Sequence, residues 1–211
     1  MSQSSSEQAY DSNGVRGILH TPEHPNGDAL ALTHGAGSNC NAPLLVILSR
    51  AFCEAGMIVL RYDLPFRVSR PGGPPHPSMS ARDREGVAQA VAAARVMASR
   101  RVFAGGHSYG GRQTAMLAAE QPSAADGLLL LSYPLHPPNK PEQLRTAYFP
   151  QWRTPALFVH GARDPFGTID EMRQALTAIP AKIDLMAIEG AGHDLRQAGR
   201  MSQEILGRML F

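Results

Sequence analysis

The chain has 211 residues, 43% of them hydrophobic and 18% charged, with 20 basic against 18 acidic side chains. That is enough for one domain with a sizeable core, and a net charge of +2 without any basic run argues against a nucleic-acid partner. The apolar stretches LLVIL and LLLL are far too short to span a bilayer, and two cysteines, Cys40 and Cys53, make no disulfide framework, so no membrane partner and a cytoplasmic location are expected.

The chain opens MSQSSSEQAYDSN, with neither the basic start nor the apolar run of a secretory signal. Residues 1–13 read as a frayed polar tail, and residues 14–211 as one domain. The segment 14–23 supplies an early strand. DALALTHG (28–35) gives a buried strand that runs into a glycine-rich turn. In APLLVILSRAFCEAG (42–56) the apolar residues recur at helical spacing, and Gly56 stands where a helix stops. MIVLRYD (57–63) is the next strand. The helix within 78–99 carries Ser80 and Asp83 at capping-box spacing, and Val87, Ala90, Val91 and Ala94 on one face.

RRVFAGG (100–106) predicts another buried strand and YGGRQTAMLAAEQ (109–121) another helix. Apolar runs at 126–134 and 155–161 end in turn residues. Thr168 and Glu171 open a helix over 169–178, which Pro180 ends; KIDLMAIEG (182–190) is the last strand, and 194–210 a closing helix. Short strands alternating with longer helices predict an α/β protein whose mostly parallel sheet has helices on both faces.

Two segments break the rhythm, 63–78 and 134–150, each with five prolines. Proline cannot donate to a strand ladder, so neither is regular sheet. Both follow the C-terminal end of a predicted strand, the edge at which open parallel sheets bind ligands.

Ser108 sits in GGHSYGG, between a strand and a helix. G-x-S-x-G in that context is the pattern of a nucleophile elbow, a turn so tight that Gly106 and Gly110 must be small. A serine hydroxyl needs an adjacent base, and the base needs an acid to hold its tautomer. His193, after the last strand, and Asp164, after 155–161, follow in the order Ser, Asp, His. Asp170 is a weaker rival, suited to the first turn of its helix, and Asp194 reads as the start of the closing helix. The THGAGS turn offers a backbone N–H as oxyanion donor, from Ala36 or, second, Gly37; the Tyr109 N–H is the other donor.

The residues HGAGSN, RYDLPF, GGHSYGGR, LSYPLHPPNKPEQLR, LFVHGARDPFG and GAGHD resemble the α/β-hydrolase superfamily, and more narrowly its small, dienelactone-hydrolase-like branch. The resemblance runs from about residue 14 to the C-terminus and implies an α/β-hydrolase fold without a large cap. Dienelactone hydrolase itself uses a cysteine nucleophile, so Ser108 does not imply that activity. The branch also contains bacterial proteins of unknown substrate, a testis-expressed hydrolase-like protein and a subunit of a chromatin acetyltransferase complex.

The expectation is therefore a serine hydrolase that cleaves a small ester or thioester by way of an acyl-enzyme, with no cofactor. The alternative is a binding or scaffold protein with a vestigial site, since fold alone proves no activity. His34 reads as fixing the oxyanion turn by a hydrogen bond, His107 as a packing residue or a donor behind the site, and Asp63 as a loop brace with Arg61 or Arg67 ahead of a substrate-binding role. No H-E-x-x-H or Cys/His cluster is present, so no metal is expected. Phe66, Tyr133, Leu135 and Tyr148 are placed at the mouth of a shallow, lidless pocket for acyl chains of about two to four carbons, because only methylenes that fit add binding energy.

Overall fold

Ala29–Thr33 and Gly127–Leu131 are buried at every position, which requires cover on both faces of the sheet that holds them. A computed structural model describes residues 6–210. Its strands are β1 (Ser6–Ser12), β2 (Val15–Thr21), β3 (Ala29–Thr33), β4 (Ile58–Asp63), β5 (Val102–His107), β6 (Gly127–Leu131), β7 (Ala156–Gly161) and β8 (Ile183–Ile188). They form one eight-stranded sheet in the order β1-β2-β4-β3-β5-β6-β7-β8. The pairs β1–β2 and β2–β4 are antiparallel, and the pairings from β4 through β8 are parallel.

The helices are α1 (Pro43–Glu54), α2 (Pro65–Ser69), α3 (Ser80–Met97), α4 (Tyr109–Glu120), α5 (Ile169–Leu176) and α6 (Ser202–Met209). One core lies between the sheet and α3, α4 and α5, where Val87, Ala90, Ala115 and Met172 are buried with Tyr133, Phe149 and Trp152. The other lies beneath α1 and α6, where Leu45, Leu48 and Phe52 meet Ile205 and Met209. Residues 132–155, between β6 and β7, hold one short 3-10 turn at Phe149–Gln151 and no cap domain.

Three expectations change. Residues 6–12 are not a frayed tail: they pair with β2 in full antiparallel register, from Ser6 with Thr21 to Ser12 with Val15, through a tight turn at Asn13 and Gly14, both at positive φ. The closing helix does not start at 194. Leu195 has φ 48, which no right-handed helix admits, and α6 follows a 3-10 turn at Ala198–Met201. The Ser80/Asp83 capping box does not form, because α3 is fed by a 3-10 turn at Pro77–Met79. Ser80 Oγ instead pairs with the Gln113 amide, and Asp83 turns inward. The Thr168/Glu171 box does form, with Glu171 N–H donating to Thr168 Oγ1 at 3.2 Å and Thr168 N–H to Glu171 Oε2 at 2.7 Å.

Candidate active site

The parallel register brings the C-terminal ends of β3, β5, β6 and β7 to one edge, with Thr33 opposite Gly106, His107 opposite Leu131, and Leu131 opposite Val159. The chain turns sharply after β5. Ser108 has φ 51 and ψ −114, a conformation that costs a non-glycine residue about 1–3 kcal/mol. Two close approaches let the turn form: a Cβ on Gly106 would lie 2.6 Å from Gly110 C, and one on Gly110 would lie 2.4 Å from the His34 carbonyl oxygen. The Ser108 N–H donates to Leu131 O at 2.8 Å, tying the elbow to the neighbouring strand.

His193 Nε2 lies 2.8 Å from Ser108 Oγ. Its Nδ1 lies 2.8 and 3.0 Å from the two oxygens of Asp164, which forces the proton onto Nδ1 and leaves Nε2 to accept from the serine. Asp164 Oδ1 also takes the Phe166 N–H at 2.9 Å. Burial works to raise the Asp164 pKa, but the His193 hydrogen bond and charge, with the Phe166 N–H, outweigh it and hold the carboxyl below its ordinary range. The rivals lie elsewhere: Asp170 pairs with Arg173 and Asp194 with Arg196, both on the exposed surface.

The His193 loop is fixed from two sides. His107 Nε2 lies 2.8 Å from the His193 carbonyl, and burial above all pushes the His107 pKa down to about 4, so a neutral ring donates that bond. The Phe166 ring stacks on His193 with centroids 4.2 Å apart. His160, behind Asp164, bonds Gly167 O at 2.9 Å and holds the turn that carries the acid.

Tyr109 is the first residue of α4, so its N–H has no intrahelical acceptor. Ala36 lies in the turn closed by the Ser38 N–H on Gly35 O at 3.1 Å. Among the described residues neither N–H meets an acceptor. His34 bonds Gly35 O through Nδ1 at 2.8 Å and accepts the Leu64 N–H on Nε2 at 3.1 Å, so it fixes this loop as expected. Asp63 also braces it, but by taking the Cys40 N–H at 2.6 Å rather than through Arg61 or Arg67.

Sequence reasoning missed the strongest brace. Buried Arg67 donates to the carbonyls of Ser38 at 2.7 Å, Ala36 at 2.9 Å and Gly73 at 3.0 Å, which clamps the Ala36 turn to the proline-rich segment. Asp83 takes the Phe66 N–H at 2.9 Å and the Tyr109 hydroxyl at 2.7 Å, which joins α2, α3 and α4. Its acidic spacing was legible only as a cap.

The expected mouth residues are corrected. Phe66, Tyr133 and Leu135 are buried in the core, because an apolar loop on this scaffold gains more by covering the sheet than by lining an open cleft. Tyr148 is half-buried, with its hydroxyl bonded to that of Tyr133. Gly37 is exposed at the tip of the Ala36 turn. Two hollows of about 460 and 470 Å³ instead border the residues on either side of the serine in the chain, His107 and Tyr109. The first is apolar and bordered by Leu44, Ile47, His107, Asp194 and Leu195. The second is bordered by Ala36, Pro74, Pro75, Tyr109 and Arg112, so the first proline-rich segment is a wall of the site. Among the described residues no group of three or more His, Cys, Asp or Glu is placed to hold a metal, and no helix is long and apolar enough to cross a membrane.

A mostly parallel sheet sandwiched by helices, with a serine, a histidine and an aspartate on the loops at its C-terminal edge, defines an α/β hydrolase. The chain belongs to the family described as the alpha/beta hydrolase domain, whose model matches residues 26–209. Solved structures share the fold. A Thermus thermophilus protein aligns at 21% identity over 98% of both chains with a TM-score of 0.77. A dienelactone hydrolase from Anabaena variabilis aligns at 18% identity over 100% of this chain and 97% of that one, with a TM-score of 0.72. Est1E from Butyrivibrio proteoclasticus aligns at 16% identity over 97% of both chains, with a TM-score of 0.74.

Proposed function

We propose that the protein is a serine hydrolase that cleaves a small ester or thioester through an acyl-enzyme. The observation that carries this reading is the relay from Ser108 Oγ to His193 Nε2, 2.8 Å, and from His193 Nδ1 to Asp164, 2.8 Å. Ser108 Oγ attacks the acyl carbon while His193 Nε2 takes its proton. The carbonyl oxygen gains the charge and is held by the N–H groups of Ala36 and Tyr109. The bond to the leaving group then breaks, and His193 returns the proton to the departing oxygen or sulfur. Water repeats the sequence in reverse and frees the acid and Ser108. Asp164 stabilises the imidazolium at each stage without taking its proton.

A scaffold gains nothing from a serine held at φ 51 or from a buried carboxylate aimed at its base, so both features support an enzyme. The proline wall and the lack of a cap favour acyl chains of about two to four carbons, each fitting methylene adding up to about 0.8 kcal/mol. The test is hydrolysis of a chromogenic ester series, read as kcat/KM against acyl length with and without micelles. We expect a maximum at two to four carbons and no rise at the micelle threshold. A maximum at eight carbons or more, or interfacial activation, contradicts the substrate reading; no turnover on any member contradicts the reaction.

A further inference from the structure

The hollow beside the oxyanion donors carries a charge that the reaction itself does not use. Arg112 lies four residues after Ser108 on α4, its N–H donating to Ser108 O at 2.9 Å. Helical side chains lean toward the N-terminus, which for Arg112 is the end of α4 that follows Ser108. Arg112 borders the same hollow as Ala36 and Tyr109. Its Nε is buried and has no hydrogen-bond partner among the described residues.

The groups around the guanidinium are neutral or cationic. Tyr133 Oη donates its one proton to the Arg145 carbonyl at 2.6 Å. The Tyr148 hydroxyl must therefore donate to Tyr133, which leaves the Tyr148 oxygen, in the field of Arg112, with lone pairs and no proton to offer. Arg145 stands close by, half-buried, with its own charge disfavoured by burial and by Arg112. Among the described residues neither guanidinium pairs with a carboxylate. Asp83, which the Tyr109 hydroxyl reaches from this side, is taken up by that hydroxyl and the Phe66 N–H. A guanidinium-bearing side chain that borders an open hollow, pairs with no carboxylate and has a second cation behind it makes a site for an anion.

The two hollows also divide the substrate. The leaving group must receive its proton from His193, and the apolar hollow is bordered by His107, which bonds the His193 carbonyl, and by Asp194, the next residue in the chain. The alcohol or thiol part goes there, and the acyl part goes to the hollow by Ala36 and Tyr109. On the serine-hydrolase reading above, we infer that the substrate is a half-ester or half-thioester of a short dicarboxylic acid, its free carboxylate bound by Arg112 and its apolar leaving group seated beside His193. A carboxylate suits the guanidinium, whose planar edge presents two parallel donors.

The test compares 4-nitrophenyl hydrogen succinate with 4-nitrophenyl butyrate, which has the same acyl length and no charge. The wild-type protein should favour the succinate by tenfold or more in kcat/KM. Arg112→Gln should bring that ratio to about one or below, and Arg112→Lys should restore part of it. Glutarate should protect Ser108 from a fluorophosphonate in the wild type and not in Arg112→Gln. A wild-type preference for butyrate, which needs no variant to measure, overturns the inference, as does a ratio that Arg112→Gln leaves unchanged. Protection by inorganic phosphate but not by glutarate overturns the carboxylate assignment. If the phosphonate labels Ser108 and the succinate preference is absent, only this inference falls; if Ser108 is not labelled, the serine-hydrolase reading falls with it.

Discussion

Asp164 is a carboxylate whose surroundings leave it one task. Its side chain is fully buried, and its oxygens take two N–H donors, from His193 and Phe166. Asp164→Asn keeps the shape and removes the charge that fixes the histidine tautomer, so turnover should fall by about 10⁴ at neutral pH. Asp170→Asn and Asp194→Asn, at exposed pairs with Arg173 and Arg196, should change it little; the reverse ranking in parallel kinetics would move the acid elsewhere. That Ser108, His193 and Asp164 come together was legible in the sequence because a serine hydrolase needs a nucleophile, a base and an acid on loops after strands, in one chain order. Arg67, Asp83 and Arg112 were not. An arginine that binds four carbonyls leaves no spacing signal, and Asp83 sat where a capping residue would stand. Arg112 alone left a trace, its four-residue offset from Ser108.

The elbow shows how an element carries the site. β5 delivers Ser108 into a left-handed turn and α4 begins on the next residue, so the strand fixes the hydroxyl while the helix supplies a free N–H. Gly110 makes this possible. A Cβ there would lie 2.4 Å from the His34 carbonyl oxygen and 2.7 Å from Thr33 Cγ2, and neither backbone nor a packed methyl moves cheaply. Gly110→Ala should therefore destabilise the fold by about 1–3 kcal/mol and, by pushing β3 from α4, separate the two N–H donors and lower kcat. Denaturant melts together with kcat check it; a variant as stable and active as the wild type would mean that the turn has slack. The elements that the sequence misplaced share a cause. β1 is polar at most positions because it is a solvent-facing edge strand, held by backbone pairing and by the ion pairs of Glu7 with Arg50 and Arg61, so no apolar alternation announced it. The 194–210 helix was broken by the left-handed Leu195, which is buried under the His193 loop and has no local signature.

At the scale of the molecule, the antiparallel edge and the edge that carries Ser108 both rest on histidines kept neutral. His20 on β2 accepts from Arg61 on β4 at 2.8 Å, and burial above all pushes its pKa from 6.5 to about 4. His107 is pushed from 6.5 to about 4 by burial in the same way. Between those values the unfolded chain holds protons that the folded chain refuses. Stability is therefore full above pH 6.5 and lost as pH falls toward 4, each ring adding a slope of up to about 1.4 kcal/mol per pH unit. His20→Gln, which keeps an acceptor for Arg61, should flatten the fall in Tm across that window; an unchanged profile would assign the acid sensitivity to other groups. The central claim is that this fold positions one serine as a nucleophile. Its most direct test is to treat the folded protein with a fluorophosphonate and locate the adduct by peptide mass spectrometry. The account predicts one adduct, on Ser108, absent from Ser108→Ala and strongly slowed in His193→Ala. An unlabelled protein, or an adduct on any other residue, would contradict it.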